Sequence, residues 1–445
     1  MRLALLGGGG FRTPLVYGAL LADTHERRVD EVWLHDLDEG RLASIRRVLD
    51  VMAARYPDPP RVHTTTSLDE ALAGADFVFS AIRVGGLEGR TADERVALDL
   101  GLLGQETTGP GGLSYGLRTV PVAVRVAERV AALAPDAWVI NFTNPAGMIT
   151  EAMQAVLGDR VVGICDSPIG LARRAAATLG LDPAATMVDY VGLNHLGWLR
   201  GLHHEGRDVL PDLLADDTLL GSMEEGHLFG LEWVRTLGMV PNEYLYYYDF
   251  TRDAVRSITA ARQTRGEYLL EQQRDFYARL AGAEDAHAEW DRVRLQRNAT
   301  YMAEARGDDE ERGEDEVQGG GYEEVALAIM AAISRGEPAS LILDVRNDGT
   351  VAGLPDDAVV EVPCEVDGAG PRPLPVAPFL GQPLGLVQQV KAVERLVIEA
   401  ALTGSERVAV QAFALHPLVD SVTVARELLA GYRARIPEVD ALFRR

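Results

Sequence analysis

Residues 1–36 read MRLALLGGGGFRTPLVYGALLADTHERRVDEVWLHD, and this stretch decides the fold. An apolar run at residues 3–6 stops at four consecutive glycines, and a helical pattern occupies residues 15–21. A second apolar run at residues 32–34 ends at Asp36. A strand, a glycine turn, a helix and a second strand in this order are typical of a parallel sheet with crossover helices. We therefore expect an α/β protein that opens with a doubly wound parallel sheet.

The alternation of strand and helix patterns continues to about residue 190. Short apolar runs end in polar loops at residues 77–82, 138–140 and 161–164, and helical stretches occupy residues 42–54, 120–133 and 148–157. In sheets of this kind a ligand binds beyond the carboxyl ends of the strands. Residues 1–190 are therefore predicted to form a Rossmann-like domain.

The pattern changes after residue 190. Longer helical patterns occupy residues 267–280, 323–333, 386–402 and 419–432, and strand-like runs occupy residues 341–345 and 358–366. These features predict a mixed α+β domain over residues 191–445. The acidic, glycine-rich stretch at residues 307–321 is predicted to be a mobile loop.

Composition excludes several classes of partner. The 445 residues include 67 acidic and 43 basic side chains, a net charge of −24, which repels nucleic-acid phosphates. The two cysteines, Cys165 and Cys364, cannot form a disulfide framework, as expected in a reducing cytoplasm. No apolar run reaches the ~18 residues of a membrane span, and the N-terminus lacks a signal-peptide pattern. We expect a cytoplasmic protein with neither nucleic acid nor membrane as a partner.

The glycine turn suggests a dinucleotide site. It consists of Gly7, Gly8, Gly9 and Gly10. Gly7 and Gly9 match the first two positions of G-x-G-x-x-G, whereas Arg12 stands at the third. A helix N-terminus after such a turn attracts a pyrophosphate. Asp36 ends the second strand, where a carboxylate accepts both ribose hydroxyls and favours NAD over NADP. Asp38 is an alternative ribose partner, and a turn without a ligand is the plain structural alternative.

Two residues could form half of a metal site. Cys165 follows the apolar run at residues 161–164, and His195 lies in GLNHLGW. One thiolate and one imidazole can hold a divalent metal when substrate oxygens and water complete the shell. A lone buried cysteine, however, is usually a small apolar residue, and the spacing of this pair has no metal specificity.

Other polar residues suggest a reaction site. Residues 241–248, PNEYLYYY, contain four tyrosines, of which one could serve as a base if a metal or cation lowers its pKa from about 10, while the others pack. Arg83, Arg90 and Arg265 are candidates for phosphate contacts, although most arginines are solvated charges. The loop at residues 104–112, GQETTGPGG, is predicted to form a wall of the site, because its glycines allow close approach of a ligand.

Several motifs together resemble those of one family. They are LLGGGGFRTP at residues 5–14, GQETTGPGG at 104–112, NFTNPAG at 141–147, GICDSP at 163–168 and GLNHLGW at 192–198. In this order they resemble the family 4 glycoside hydrolases, the NAD- and metal-dependent glycosidases, and within that family the 6-phospho-β-glucosidases. The resemblance extends over nearly the whole chain.

The resemblance implies a role for individual residues. By position, the implied residues are Cys165 and His195 for a metal, usually manganese; Tyr244 as the catalytic base and Asp166 as the general acid; Arg90, Asn144 and Arg265 for the substrate, with Arg265 on its phosphate; and Gly7, Gly8, Gly9, Gly10 and Asp36 for NAD. Residues 191–445 would then carry the substrate, metal and subunit contacts.

The resemblance also implies a reaction. NAD takes a hydride from C3 of the sugar, Tyr244 removes the C2 proton, the leaving group is eliminated, water adds, and the hydride returns. The implied substrate is a phosphorylated disaccharide or glucoside, and a homodimer or homotetramer is expected. Asp166 matches the phospho-α-glucosidase branch, whereas Arg83 in RVGG and Gly147 in NPAG match the β branch.

Alternatives within and outside the family stay open. A 6-phospho-α-glucosidase, an α-galactosidase or an α-glucuronidase of the same family would share these motifs. A 2-hydroxy-acid dehydrogenase would accumulate NADH and would not need a Cys/His pair. A non-catalytic sensor of NAD or sugar phosphate would not need Tyr244.

Overall fold

The computed structural model describes residues 1–302 and 321–444 as a sheet covered by helices. The strands are β1 (Arg2–Leu6), β2 (Glu31–His35), β3 (Arg61–Thr65), β4 (Phe77–Ser80), β5 (Trp138–Asn141), β6 (Val161–Gly163), β7 (Met187–Leu193), β8 (Leu196–His204), β9 (Arg207–Asp208), β10 (Val240–Pro241), β11 (Ala339–Arg346), β12 (Val359–Asp367) and β13 (Gly370–Pro373). Nearly all of the loop predicted at residues 307–321 lies outside the described residues.

The helices lie on both faces of this sheet. They are α1 (Thr13–Ala22), α2 (Glu39–Ala53), α3 (Leu68–Leu72), α4 (Gly86–Asp99), α5 (Pro110–Leu133), α6 (Ala146–Leu157), α7 (Ser167–Thr178), α8 (Leu210–Ala215), α9 (Asp217–Gly221), α10 (Glu224–Phe229), α11 (Leu231–Leu237), α12 (Tyr246–Asp249), α13 (Thr251–Ala260), α14 (Arg265–Leu280), α15 (Ala286–Ala299), α16 (Tyr322–Arg335), α17 (Gly381–Thr403), α18 (Glu406–Leu415), α19 (Val422–Arg435) and α20 (Pro437–Leu442). Short 3-10 helices occur at Gly158–Arg160, Pro183–Ala185 and Glu243–Leu245.

The first six strands form the predicted doubly wound sheet. Their order is β3-β2-β1-β4-β5-β6, and every neighbouring pair in this part is parallel. Leu5 of β1 lies between Leu34 of β2 and Phe79 of β4, and all three side chains are buried. Continuous apolar runs form these strands because helices cover both faces of the sheet. The predicted fold class, with a Rossmann-like sheet at the N-terminus and mixed structure after it, is confirmed.

Antiparallel strands extend the same sheet beyond β6. The order continues as β6-β11-β12-β7-β8-β10, with β13 beside β12 and β9 beside β8. Gly163 of β6 is in register with Asp344 of β11, where an added Cβ would lie 2.7 Å from the Asp344 Cβ. The sheet therefore crosses the predicted boundary at residue 190, and the division into two domains stays a prediction.

The C-terminal helices return to the first half of the chain. Helix α17 packs on α5 and α6, and α20 also reaches α5. At the crossing, an added Cβ on Gly116 of α5 would lie 3.1 Å from Val397 Cγ1 and 2.4 Å from Met148 Sδ. A glycine at this position therefore allows close approach of the helices. Among the described residues, no helix is both long enough and apolar enough to cross a membrane.

Two local features differ from the sequence analysis. The predicted loop at residues 104–112 is shorter than expected, because Pro110 starts α5 and residues 110–112 form its first turn. An added Cβ on Gly111 would lie 2.2 Å from the Gln105 carbonyl oxygen, so the helix start packs directly against the loop. The hairpin of β7 and β8 was not predicted, and its turn holds His195.

A stability prediction follows from the buried ion pair between α4 and α5. Arg118 donates to both carboxylate oxygens of Asp93 at 2.9 and 2.6 Å, and the two side chains are 0% and 1% exposed. Arg118→Met leaves a buried charge unpaired, so we expect a loss of about 3–5 kcal/mol in the free energy of unfolding. Urea unfolding measures this loss.

The control is an exposed pair with similar geometry. Arg129 donates to both oxygens of Asp69 at 2.8 and 2.8 Å, but the side chains are 42% and 59% exposed. Arg129→Met is expected to leave the free energy of unfolding nearly unchanged, because water screens the pair. Equal losses in the free energy of unfolding for the two variants would contradict the claim that burial makes the Arg118–Asp93 pair the more important one.

Candidate active site

Polar loops follow the carboxyl ends of the parallel strands, as predicted. The glycine turn follows β1, Asp36 follows β2, Asn144 lies between β5 and α6, and Cys165 lies between β6 and α7. His195 lies in the turn between β7 and β8, and its ring stacks on Tyr244. Cys165 is close enough to Tyr244 that its charge, after burial and Glu243, raises the pKa of Tyr244. The fold thus assembles residues from both halves of the chain.

The glycine turn lies tightly against its neighbours. Gly7 has φ +84°, and an added Cβ would lie 2.5 Å from the Ala81 carbonyl oxygen. The Gly9 N–H donates to Asp36 Oδ2 at 3.0 Å, and an added Cβ there would lie 2.9 Å from the same oxygen. Only glycine fits at these two positions, as expected for a turn whose backbone N–H groups bind an anion at a helix N-terminus.

The structure separates the two candidate ribose partners. The Asp38 carboxylate accepts from the Arg41 N–H at 3.0 Å and caps the N-terminus of α2. Asp36 lies directly on the glycine turn, with its oxygens near the N–H groups of Gly9 and Asp38. Asp36 is therefore the better placed carboxylate for a ribose at this turn. Its role, and the roles of Gly7, Gly8, Gly9 and Gly10, stay predictions.

His195 is held by two contacts that leave one ring nitrogen for a metal. Its backbone has φ +62°, and its ring stacks on Tyr244 with centroids 3.7 Å apart and planes 12° apart. Nδ1 lies 3.0 Å from Thr107 Oγ1. Burial lowers the pKa of His195 to about 4, so the ring is neutral at neutral pH. A neutral ring with Nδ1 engaged presents Nε2 as a ligand.

Cys165 is a buried thiol beside acidic groups. Burial raises the pKa of Cys165 well above its usual value, and the charges of Asp166 and Glu361 raise it further. Within residues 1–302 and 321–444, no three His, Cys, Asp or Glu side chains group in a manner that could hold a metal. A metal at Cys165 and His195 would therefore need its other ligands from substrate and water, and this site stays a prediction.

Within residues 241–248, Tyr244 stacks on His195, one of the predicted metal ligands. It lies in the 3-10 helix Glu243–Leu245, where its N–H donates to Asn242 Oδ1 at 3.1 Å. Burial raises the pKa of Tyr244 well above its usual value, and Glu243 and Cys165 add to this. The side chains of the protein alone therefore do not produce the lowered pKa that a base requires. Tyr246 and Tyr247 pack in the core, as predicted for most of the cluster.

Arg83 and Arg90 share one carboxylate from the predicted wall loop. Arg83 Nη1 and Arg90 Nη1 lie 2.9 and 2.7 Å from Glu106 Oε2. Arg90 Nε also donates to Glu94 Oε1 at 2.8 Å. Burial alone would raise the pKa of Glu106, but the guanidinium groups of Arg90 and Arg83 lower it to about 2. Glu106 thus positions two arginines. The sequence analysis did not name it as a functional residue, and its only signal was its place in the GQETTGPGG loop.

Four guanidinium groups act on one another at the site. Burial lowers the pKa of Arg297 well below its usual value, and the charges of Arg12, Arg265 and Arg90 lower it further. Arg265 Nη2 donates to the Arg297 carbonyl oxygen at 2.8 Å, and its Nη1 donates to Thr300 Oγ1 at 2.6 Å. Arg90 is paired with Glu94 and Glu106, so the positive charge that favours a bound anion comes from Arg12, Arg265 and Arg297.

Two members of this cluster were missed as functional residues. Arg12 was noticed only as the residue that breaks the glycine fingerprint, and its guanidinium lies 5.0 Å from the Tyr322 ring. Arg297 lies in α15 among many charged residues, and no local pattern marks it. Position in the fold, rather than sequence spacing, assigns both to the site.

Asn144 and Asp166 lie in the loops that follow β5 and β6. Asn144 is half-buried in the loop before α6. Asp166 directly follows Cys165 and is 41% exposed, with Oδ2 3.9 Å from Arg12 Nη1. Asp166 is open enough to meet a substrate. The structure leaves the proposed roles of Asn144 and Asp166 as predictions.

Comparison with known proteins gives consistent matches over the chain. Residues 2–181 match the model of the family 4 glycosyl hydrolases, and residues 190–419 match the model of their C-terminal domain. A probable 6-phospho-beta-glucosidase of Bacillus subtilis is 33% identical over 98% of both chains, and a maltose-6'-phosphate glucosidase of the same organism is 31% identical over 96% of this chain and 94% of its own. A 6-phospho-beta glucosidase structure from Thermotoga maritima, with manganese, NAD+ and glucose-6-phosphate, superposes with a TM-score of 0.82 at 28% identity and covers 98% of both chains.

A pH prediction follows from Glu106. Its pKa falls from an ordinary 4.5 to about 2 in the folded protein. The stabilisation is therefore complete above the unfolded pKa and is lost as the pH falls toward 2. Glu106→Gln should lower the free energy of unfolding by about 2–4 kcal/mol near neutral pH, because two guanidinium groups lose a charged partner.

Urea unfolding between about pH 7 and 2.5 tests this, since the gap between wild type and Glu106→Gln should shrink in acid. Glu427→Gln, on the exposed side of α19, is the control and should show no gap. A gap that does not vary with pH would contradict the role of the Glu106 charge.

Proposed function

This chain belongs to the family 4 glycosyl hydrolases, and we propose that it hydrolyses 6-phospho-β-glucosides with NAD and a divalent cation, manganese in the first instance. The observation that carries the proposal is that the His195 ring stacks on Tyr244, on which the charge of Cys165 also acts, beside a cluster of mostly half-buried guanidinium groups. The named relatives and the solved structure with manganese, NAD+ and glucose-6-phosphate support it. The protein is an enzyme, a glycosidase.

Two groups from outside the chain complete the site. NAD supplies a reversible hydride acceptor for C3 of the sugar, and the divalent cation polarises the sugar oxygens. The cradle of Gly7, Gly8, Gly9 and Gly10 with Asp36 would hold NAD. Cys165 Sγ and His195 Nε2 would hold the cation.

The side chains divide the remaining work. Tyr244 removes the proton from C2 once C3 is oxidised, because a neighbouring ketone makes that proton acidic. Asp166 donates a proton to the oxygen of the leaving group at C1. Asn144 and Arg90 bind the sugar hydroxyls. Water would then add at C1 as Tyr244 returns the proton to C2, and with NAD as a reversible hydride acceptor the hydrolysis would occur without net oxidation.

The guanidinium cluster supports a 6-phosphate on the substrate. The whole protein carries a net charge of −24, so an anionic substrate needs a local positive region. Arg12, Arg265 and Arg297 supply that region, with Arg265 at the N-terminus of α14. A phosphate dianion would relieve the mutual repulsion of these groups.

A 6-phospho-α-glucosidase is the second candidate. Asp166, the residue that matches the phospho-α-glucosidase branch, directly follows Cys165 and is 41% exposed. The similarity to a maltose-6'-phosphate glucosidase, at 31% identity, favours this alternative over the other family activities. Only the choice of anomer separates the two candidates.

We further propose a cytoplasmic location and a homodimer or homotetramer. Both Cys165 and Cys364 are free thiols, and a cysteine that ligates a metal must stay reduced. A reducing compartment provides that condition.

The test is release of p-nitrophenol from p-nitrophenyl β-glucoside 6-phosphate. We expect release only with both NAD⁺ and Mn²⁺ present, and no accumulation of NADH absorbance, since the hydride returns in each turnover. The α-anomer and the unphosphorylated glucosides serve as comparison substrates. Preference for the α-anomer would support the second candidate, and NADH accumulation with a hydroxy acid would contradict a glycosidase.

The two cysteines offer a matched test of the metal site. Cys165→Ser should raise the Mn²⁺ concentration for half-maximal activity by at least on the order of 10-fold, because a neutral hydroxyl replaces an anionic thiolate ligand. Cys364→Ser is the control, since this buried thiol donates to the Val362 carbonyl oxygen away from the site. Calorimetric titration with Mn²⁺ gives a second measurement. Equal Mn²⁺ affinity in both variants would remove Cys165 from the metal site.

A further inference from the structure

A chain of hydrogen bonds lies behind the Tyr244 hydroxyl. The oxygens of Tyr244 and Tyr301 are 2.8 Å apart, and Tyr301 donates to Glu243 Oε1 at 2.9 Å. Ser167 Oγ donates to the same carboxylate oxygen at 2.7 Å. Tyr244 and Glu243 are both buried, so water does not replace these contacts readily.

The four residues come from three separate parts of the fold. Tyr244 and Glu243 share one 3-10 helix, Ser167 begins α7 two positions after Cys165, and Tyr301 follows α15. The chain of contacts therefore ties the segment that carries the base to the segment that carries the thiol. Packing alone does not require a carboxylate at this place, since burying one is unfavourable without partners.

The Tyr244 ring and its hydroxyl are held by different groups. The ring stacks on His195 with centroids 3.7 Å apart, which restrains the ring plane. The hydroxyl meets Tyr301, which restrains the position of the oxygen. Together these contacts place the oxygen that must reach C2 of the sugar.

We propose that Tyr301 and Glu243 are positioning residues for Tyr244, an inference that rests on the proposed function and names further residues for it. The Tyr301 hydroxyl has one proton, and the oxygens of Tyr244 and Glu243 both lie within hydrogen-bond distance of it. When Tyr301 donates to Glu243, Tyr244 donates to Tyr301. When the Tyr301 proton turns toward Tyr244, the Ser167 hydroxyl still donates to Glu243. The Tyr244 oxygen is thus held both before and after it serves as a base.

The test is Tyr301→Phe, which keeps the ring and removes the hydroxyl. We expect kcat to fall about 10- to 100-fold, because a misplaced base reacts more slowly. The loss should concentrate in the step that breaks the C2–H bond. With substrates deuterated at C2 or at C3, the ratio of the C2 isotope effect to the C3 isotope effect on kcat/KM should therefore rise. Mn²⁺ and NAD⁺ affinities should stay within about twofold of wild type.

Tyr17→Phe is the control for a lost buried hydrogen bond. The Tyr17 hydroxyl donates to the Pro60 carbonyl oxygen at 2.9 Å, outside the site, and its loss should leave both isotope effects unchanged. Glu243→Gln and Glu243→Ala form a second pair. Gln keeps an oxygen that accepts from Tyr301, so it should retain more activity than Ala.

Three outcomes would overturn the proposal. Tyr301→Phe with wild-type kcat and isotope effects shows that the hydroxyl positions nothing. A lower kcat with an unchanged ratio of isotope effects shows a merely structural role. A wild-type enzyme that releases p-nitrophenol without NAD⁺ or metal overturns the proposed function as well, and this result is seen before any variant is made.

Discussion

The register across four adjacent strands is the constraint on which the site depends. Gly163, Asp344, Glu361 and Gly192 are consecutive partners on β6, β11, β12 and β7. Cys165 follows the first of them by two residues and His195 follows the last by three. The row continues to Gly197 of β8, where an added Cβ on Gly192 would lie 2.4 Å from the Gly197 Cα. A shift in register would separate the two candidate metal ligands.

The same row carries two buried acidic side chains, Asp344 and Glu361. Burial raises the pKa of Glu361 to about 7, although hydrogen bonds from Asn194 and Tyr190 lower it. Asn194 donates to Glu361 Oε1 at 3.2 Å and precedes His195 in the chain. The polar interior of the sheet is thus continuous with the turn that presents His195, and its hydrogen bonds help to define that turn.

Sequence patterns predicted the parallel sheet well because its buried strands appear as short apolar runs separated by helices. They did not predict the β7–β8 hairpin, where His195 adopts φ +62°. They found Arg90 and Arg265 but not Arg297 or Tyr301. The last two lie at the C-terminal end of α15 or just beyond it, where neither hydrophobic periodicity nor a recognised motif marks them. Folding alone brings Tyr301 to Tyr244 and the Arg297 carbonyl oxygen to Arg265.

The sequence by itself determined the strand–turn–helix start, the family motifs and the residue types at the predicted metal, cofactor and base positions. These properties depend on local periodicity and on side-chain chemistry, which a linear chain already contains. The tertiary structure alone decided that Asp38 caps α2 while Asp36 faces the glycine turn, that Glu106 pairs with Arg83 and Arg90, and that Tyr301 meets Tyr244. Each of these depends on distances between residues far apart in the chain or on competition between neighbouring groups, and only packing sets those distances.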